Sequence, residues 1–494
     1  MTTVSASHRP SLSVPSILKI LITVAILSVV AAGGTMMGLQ LWNPVLFLLV
    51  IAFAFPCFIA LSSFTRGFYV YLFILPFSYF LKRLLFLSPE VTQVEWFIAT
   101  ALPDLVLVSA LCNLILGKNH RFPRSAATLP VSLFLAWSIL EIFNPNISIT
   151  IGISGFKKTA FYVAMYYLAA AVSLRDAKVV DKVASITVLC AIVAAGYGFV
   201  QSIFGLAPFE IAQINSGLTN LTVDSIGVLY AQGILRPFST FSGPWILGDY
   251  LVIGFMFNVF SYLRGKVSRG KFFLIALWLG LGIFVSLSRS SYLMLMLALA
   301  LLYVLAAKSQ SSFVLRLVLV SIAAGLFFLV LSSFWNLVPG GMLTAIFAMY
   351  NLFSRIVQWQ SLLSNPATFS LIGMGIGSVQ ASFYFGETIV AETHSFFLTL
   401  VSELGVIGVG LFVWALFVLV RDVVGRMARV AGGADRLSVN VVLSILLGMI
   451  VAKTAAGGLW GGYMHDNYLW LLSGLLAALS TTYLPASPDG GLKK

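Results

Sequence analysis

Long apolar stretches separated by short polar ones run from one end of the chain to the other. A helix needs about 20 residues to cross a bilayer core of about 30 Å. Stretches of that order recur at 17–35, 41–61, 67–83, 99–116, 129–143, 153–173, 183–204, 245–263, 272–288, 290–307, 313–333, 395–420, 438–453 and 467–484. The pattern predicts an all-α fold: a polytopic integral membrane protein with about 12–14 transmembrane helices. One transmembrane domain is expected over 1–484, followed by a disordered cytoplasmic tail at 485–494, with no soluble domain at either end. The first run, ILKILITVAILSVVAAGG, is longer than a signal-peptide core and lacks a small-residue cleavage site, so it is expected to stay as the first helix.

Composition narrows the class. Of 494 residues, 60% are hydrophobic and only 9% charged, against about 25% charged in soluble domains. The three cysteines (Cys57, Cys112, Cys190) lie in or beside apolar runs and read as small core residues rather than a disulfide or metal set. A net charge of +13 could point to nucleic acid, but the basic residues fall in short clusters between apolar runs. That is the positive-inside pattern, so the partner is the bilayer and no nucleic acid is expected.

With the amino terminus inside, all but eight of the 29 Lys and Arg residues face the cytoplasm, as do both termini. The eight are Lys82, Arg83, Lys157, Lys158, Arg236, Arg289, Arg355 and Lys453. The same threading puts the two longest polar connections, 205–244 and 334–394, on the outer side, with His394 and His465. Long connections in a compact protein tend to carry function.

Arg289 sits in SRSS, between a rising and a descending helix, where its planar fork suits phosphate oxygens. A single arginine there equally fits snorkelling to lipid headgroups. Arg236, in RPFSTFSGPWILGDYL, stands in an ordered turn, and Asp249 enters the next helix as a partner for one of the arginines. Arg355 lies in an amphipathic segment, and Gly373, Gly375 and Gly377 then form a GxGxG run. No βαβ context surrounds that run, so it reads as a tight turn or a close backbone approach to a ligand. His394 opens an apolar helix, as a general base or as a solvent-facing structural histidine. Glu403 is nine residues on, half a revolution away, and reads as a buried or paired structural carboxyl. There is no HxxxH, DxD or Cys/His cluster, so no metal or other cofactor is expected.

Two spaced motifs resemble a known family. His394-Ser395, nine residues, then Gly405-Val406-Ile407-Gly408 is similar to the His-[Asn/Ser/Gln]-x9-Gly-x-x-Gly pattern of the O-antigen ligases, and Arg289-x3-Leu293 to their Arg-x3-Leu motif. The likeness to the O-antigen ligase and polysaccharide polymerase superfamily covers roughly residues 230–420. It implies a GT-C type glycosyltransferase in the bacterial inner membrane, with two long periplasmic loops and a periplasmic active site. The donor would be an undecaprenyl-diphosphate-linked glycan, and the acceptor lipid A–core or a second lipid-linked glycan. Other polysaccharide assembly proteins would be its partners.

By that resemblance His394 would be the general base, and Arg236, Arg289 and Arg355 would hold the diphosphate. Ser395, Leu293, Gly405 and Gly408 would be motif residues, the two glycines at close helix contacts. Ser395 stands where asparagine is commoner, and polymerases share the ligase motif loosely; the stretch 230–250 leans towards polymerase. The alternative is a polytopic transporter or flippase of lipid-linked glycans. Such proteins tend to show paired repeats and charges at mid-membrane, whereas no repeat is visible and the outlying charges fall near helix ends.

Overall fold

The computed structural model describes residues 43–88, 90–117, 125–218, 230–231, 234–307, 369–379, 381–385, 395–427, 433–456 and 463–482, with short pieces between 312 and 364. The described chain is almost wholly helical. Its only strands are a two-residue pair, β1 (Tyr230–Ala231) and β2 (Ile234–Leu235), antiparallel with Tyr230 opposite Leu235. Seven described helices are long and apolar enough to cross a membrane: Pro44–Ser62, Phe64–Leu87, Gln93–Leu116, Val179–Phe204, Pro244–Leu263, Phe396–Gly425 and Asp435–Thr454. Shorter apolar helices cover Thr128–Phe143 and Arg289–Leu305. The protein is a polytopic membrane protein. Of the expected spans, 17–35 and 313–333 lie outside the described residues, as do the amphipathic segment around Arg355 and the tail.

The chain packs as two compact units. One comprises 1–71 and 81–121, and its described part is built on α1 (Pro44–Ser62), most of α2 (Phe64–Ile74) and α3 (Gln93–Leu116). Asn43 caps α1, accepting from the Val45 amide at 2.9 Å, with Pro44 in the first turn. Thr92 and Glu95 form a capping box on α3, and Glu95 Oε1 also accepts from the Asn43 amide at 2.9 Å. One buried carboxylate thus joins two helix starts. At the far end Asn113 accepts from the Phe64 amide (3.0 Å) and donates to Leu61 O (2.6 Å). Lys82, one of the eight outlying cations, lies 4.8 Å from the centre of the Trp96 ring.

The other unit comprises 72–80 and 122–494. Its described helices include α4 (Thr128–Leu140), α5 (Ile149–Thr159), α6 (Ala164–Ser173), α7 (Val179–Phe204), α8 (Pro208–Asn215), α9 (Pro244–Leu263), α10 (Arg269–Val285), α11 (Arg289–Leu305), α12 (Phe396–Met427), α13 (Gly433–Ala456) and α14 (Tyr463–Thr482). In lipid, helices associate through close packing of small residues rather than hydrophobic exclusion, and that is how this unit is assembled. A Cβ on Gly474 of α14 would lie 2.3 Å from Tyr166 O of α6, and one on Gly254 of α9 would lie 2.5 Å from Ala191 Cβ of α7. One on Gly248 would lie 2.4 Å from Ser291 Oγ of α11. Helix ends that the charge pattern assigns to one side do lie together. Asp181 binds Arg264 (3.3 Å) and Lys266 (2.6 Å), and Arg436 donates to Ala307 O (3.1 Å).

Three expected continuous spans are broken; the one at 67–83 passes through a 3-10 turn at Leu75–Phe77. The 153–173 span divides into α5, a 3-10 turn at Phe161–Val163, and α6; Lys157 and Lys158 fall in the last turn of α5. The 395–420 span is interrupted at Gly405 (φ 67°, ψ −174°). There the GxGxG segment meets the helix edge-on. The Met374 amide donates to Ser402 O (2.8 Å), while the Val406 and Ile407 amides donate to Ser370 O (3.1 Å) and Leu371 O (3.3 Å). Trp137 Nε1 donates to Leu404 O at 2.9 Å. Backbone groups opened by the break are therefore paired within the protein, as they must be at membrane depth.

The glycines make this docking sterically feasible. A Cβ on Gly405 would lie 2.3 Å from Leu371 O, one on Gly373 would lie 2.5 Å from Gly405 N, and one on Gly155 of α5 would lie 2.4 Å from Gly377 Cα. The close approach foreseen for GxGxG is to the protein's own helices. Glu403, 1% exposed, completes the joint by accepting from the Val379 amide (3.1 Å) and the Thr159 hydroxyl (3.4 Å).

Gly405→Ala is expected to destabilise the purified protein by about 3 kcal/mol, from the left-handed φ and the clash together. Gly410→Ala, on the same helix with nothing within 4 Å, is expected to be neutral or stabilising by up to about 1 kcal/mol. Thermal unfolding in detergent measures both; equal midpoints for the two variants would contradict the docked-break account.

Candidate functional site

Two turns carry Arg236 and Arg289, and each contains a strained residue. Among the described residues only Ser239 (φ 50°) and Leu287 (φ 49°) are non-glycines in the left-handed region. Ser239 follows Arg236 by three residues and Leu287 precedes Arg289 by two. Such backbone costs about 1–3 kcal/mol per residue and persists only where its surroundings impose it.

The first turn is imposed by α7. Gln201 Oε1 accepts from the Phe238 (3.1 Å) and Ser239 (2.6 Å) amides, and Ser239 Oγ donates to Ala194 O (2.6 Å). Gln201 is aimed in turn by Glu210, whose Oε1 accepts from Gln201 Nε2 (2.7 Å) and from the Tyr197 hydroxyl (3.1 Å). Glu210 also forms the capping interaction that starts α8, accepting from the Ala207 amide at 3.0 Å. A short helix and a relay of buried amides therefore set Arg236.

The second turn is imposed by three other helices. Asp249 on α9, fully buried, pairs with Lys453 on α13 and accepts from His465 Nε2 on α14 at 2.6 Å, both on Oδ2. A carboxylate paired with an ammonium has no proton to offer, so the hydrogen between it and the imidazole sits on Nε2. Oδ1 accepts from Ser291 Oγ at 2.7 Å, and Ser288 Oγ lies 2.8 Å from Ser291 Oγ and 3.1 Å from Ser290 Oγ. Lys453 Nζ donates to Ser290 Oγ at 3.4 Å. Ser288 occupies the N-cap position of α11, yet its hydroxyl makes no capping bond. All three serines turn towards the ion cluster, and the Arg289 side chain between them is exposed.

Arg236 and Arg289 are near enough to repel. The Arg236 pKa is lowered from the ordinary guanidinium value, first by burial and then by the Arg289 charge. Both remain cations at any working pH. Arg289 is also the first residue of α11, where the helix dipole adds positive potential. The arrangement favours an anion, and paired planar donors suit phosphate oxygens in particular.

Arg236 and Arg289 are brought together. His394 and Arg355 lie outside the described residues. Ser395, the residue after His394, donates from Oγ to Thr454 O at 3.0 Å, and Thr454 is the residue after Lys453. The His-Ser motif is thereby tied to the helix that carries the buried lysine. Leu293 is half-buried one turn along α11 from Arg289. Gly405 does make a close contact, though with a loop rather than a helix. Gly408 makes none with a neighbouring helix: a Cβ there would lie 2.3 Å from Leu404 Cβ, on the other side of the break.

Asp249 was expected to partner an arginine and instead pairs with Lys453 and His465. The reason is depth. Asp249 sits beyond the first turn of α9, level with Lys453 on α13, while Arg236 and Arg289 lie in the turns at the helix ends. Lys453, His465 and the three serines were missed as site residues, although an ionisable side chain inside an apolar span is itself a functional signal.

No family model, curated protein or solved structure matches the chain.

Lys453→Met leaves a buried carboxylate short of its cation and is expected to destabilise by about 3–5 kcal/mol. Adding Asp249→Asn should recover most of that loss, because neither charge then remains. Thermal unfolding of both variants in detergent decides the point: additive losses would show that the pair is not coupled.

Proposed function

We propose that the protein is a metal-independent, inverting glycosyltransferase of GT-C type, working at the periplasmic face of the bacterial inner membrane in cell-surface polysaccharide biosynthesis. The donor is a glycan linked to undecaprenyl diphosphate. The observation that carries this reading is the placement of Arg236 and Arg289 in two adjacent strained turns. Two guanidinium groups held side by side on imposed backbone present paired planar donors, and a lipid diphosphate is a group that suits them. The family motifs containing Arg289 and His394 point to the same chemistry.

In this mechanism His394 accepts the proton from an acceptor sugar hydroxyl. The hydroxyl oxygen attacks the anomeric carbon as the bond from that carbon to the diphosphate oxygen breaks on the opposite face. Undecaprenyl diphosphate leaves with the electron pair, its charge met by fixed guanidinium groups already in position. Arg355 is assigned to the same diphosphate. The acceptor is a second lipid-linked glycan, which makes the protein a polymerase, in preference to lipid A–core, which would make it a ligase.

A transporter or flippase is the second reading, and the Asp249–Lys453–His465 cluster favours it, since buried ionisable groups also line proton and substrate routes. Purified protein in detergent separates the two, because micelles have no sides to move a substrate between. With a lipid-linked glycan donor and both acceptors supplied, extension of the second lipid-linked glycan is expected, and His394→Ala should reduce it at least 1,000-fold while donor binding stays within threefold. Extension of lipid A–core alone would make the protein a ligase. No product on either acceptor would leave the transporter.

A further inference from the structure

The turn that bears Arg289 is held by a device whose parts lie elsewhere in the fold. Its backbone is strained at Leu287, which is buried, so the turn would relax if nothing restrained it. Ser288 gives no hydroxyl to the helix end where a serine normally caps. Instead the hydroxyls that follow Arg289 are drawn inward, Ser291 to Asp249 Oδ1 at 2.7 Å and Ser290 to Lys453 Nζ at 3.4 Å, and the Ser288 hydroxyl lies 2.8 Å from that of Ser291. Both of these ions are at most 1% exposed. Gly248, one residue before Asp249, leaves the space that Ser291 enters. His465 holds the carboxylate from the third side.

We infer that Asp249 and Lys453 are positioning residues for Arg289: the buried ion pair grips Ser290 and Ser291, which follow it, and through Ser291 holds Ser288, which precedes it, and so aims its guanidinium at the anion. The inference rests on the diphosphate-binding reading of Arg236 and Arg289. An ion pair suits the task because it offers both polarities at once. The carboxylate takes the proton of Ser291 and the ammonium donates to the oxygen of Ser290, while Ser288, 2.8 Å from Ser291 Oγ, ties the other side of Arg289 to the same point. The pair itself need not touch substrate, which agrees with its near-complete burial.

A double-mutant cycle distinguishes aiming from simple stabilisation. Binding of undecaprenyl diphosphate to the purified protein in detergent is measured for wild type, Ser291→Ala, Arg289→Ala and the double variant. Ser291→Ala removes the carboxylate's hold and the link to Ser288 while leaving the ion pair intact, so it is expected to fold. Arg289→Ala should weaken binding at least tenfold and Ser291→Ala about fivefold, whereas in the Arg289→Ala background Ser291→Ala should add less than twofold.

Ser444→Ala removes a buried hydroxyl from α13 that bonds only its own helix at Asn440 O, and it should leave binding unchanged. A fivefold loss from Ser291→Ala in both backgrounds, or no loss in either, overturns the inference while the diphosphate reading stands. Wild-type binding by both Arg289→Ala and Arg236→Ala overturns that reading and the inference with it.

Discussion

The organisation of the larger unit depends on one carboxylate placed where water cannot reach it. Asp249 is taken up by an ammonium, an imidazole and a hydroxyl from three different helices, α13, α14 and α11. An ion in an apolar interior tolerates few arrangements, because its desolvation is offset only when each lone pair finds a donor in good geometry. Apolar packing alone would let these helices slide or rotate at modest cost. Four helices that must bring one donor or acceptor each to a common point have far less freedom. Such clusters add little net stability, and their contribution here is to fix a single arrangement.

The polar joints elsewhere follow the same logic. Glu95 gathers the starts of α1 and α3, Glu210 steadies the amide that shapes the Arg236 turn, and Glu403 fastens the glycine-rich segment to α5 and α12. Each is a buried acid that accepts from backbone or side-chain N–H and O–H groups, and each lies where a helix starts, ends or breaks. Acids are few in this chain. These three mark places where continuous helix gives way to something irregular, which is where backbone groups need partners other than their own turn.

Much of the helical framework was legible in the sequence, because about 20 apolar residues in a row leave few alternatives. The spans at 41–61, 183–204 and 245–263 fall within a few residues of the helices at Pro44–Ser62, Val179–Phe204 and Pro244–Leu263. The breaks at Gly405 and after Thr159 were not legible, since hydropathy is blind to a backbone partner arriving from a distant loop. The two arginines were visible as cations that the positive-inside rule leaves over, and Lys453 was visible in the same way. That Lys453 would find Asp249 was not, because pairing depends on how deep each residue lies and which way its helix is turned. Glu403, read from its offset along the helix as a buried or paired structural carboxyl, is buried, although a loop amide and a threonine hydroxyl could not be named as donors to it.

The interrupted helix has a consequence for motion. The amides of Val406 and Ile407 are protected from solvent exchange only while the carbonyls of Ser370 and Leu371 stay in place, and Met374 depends in the same way on Ser402. Neither half of α12 at the break can open without releasing the glycine-rich segment, and that segment cannot leave without exposing the break. The two should therefore exchange hydrogen as one cooperative block. Ser395 begins this helix and bonds to α13 beside Lys453, so the block reaches from the glycine turn to the edge of the ion cluster.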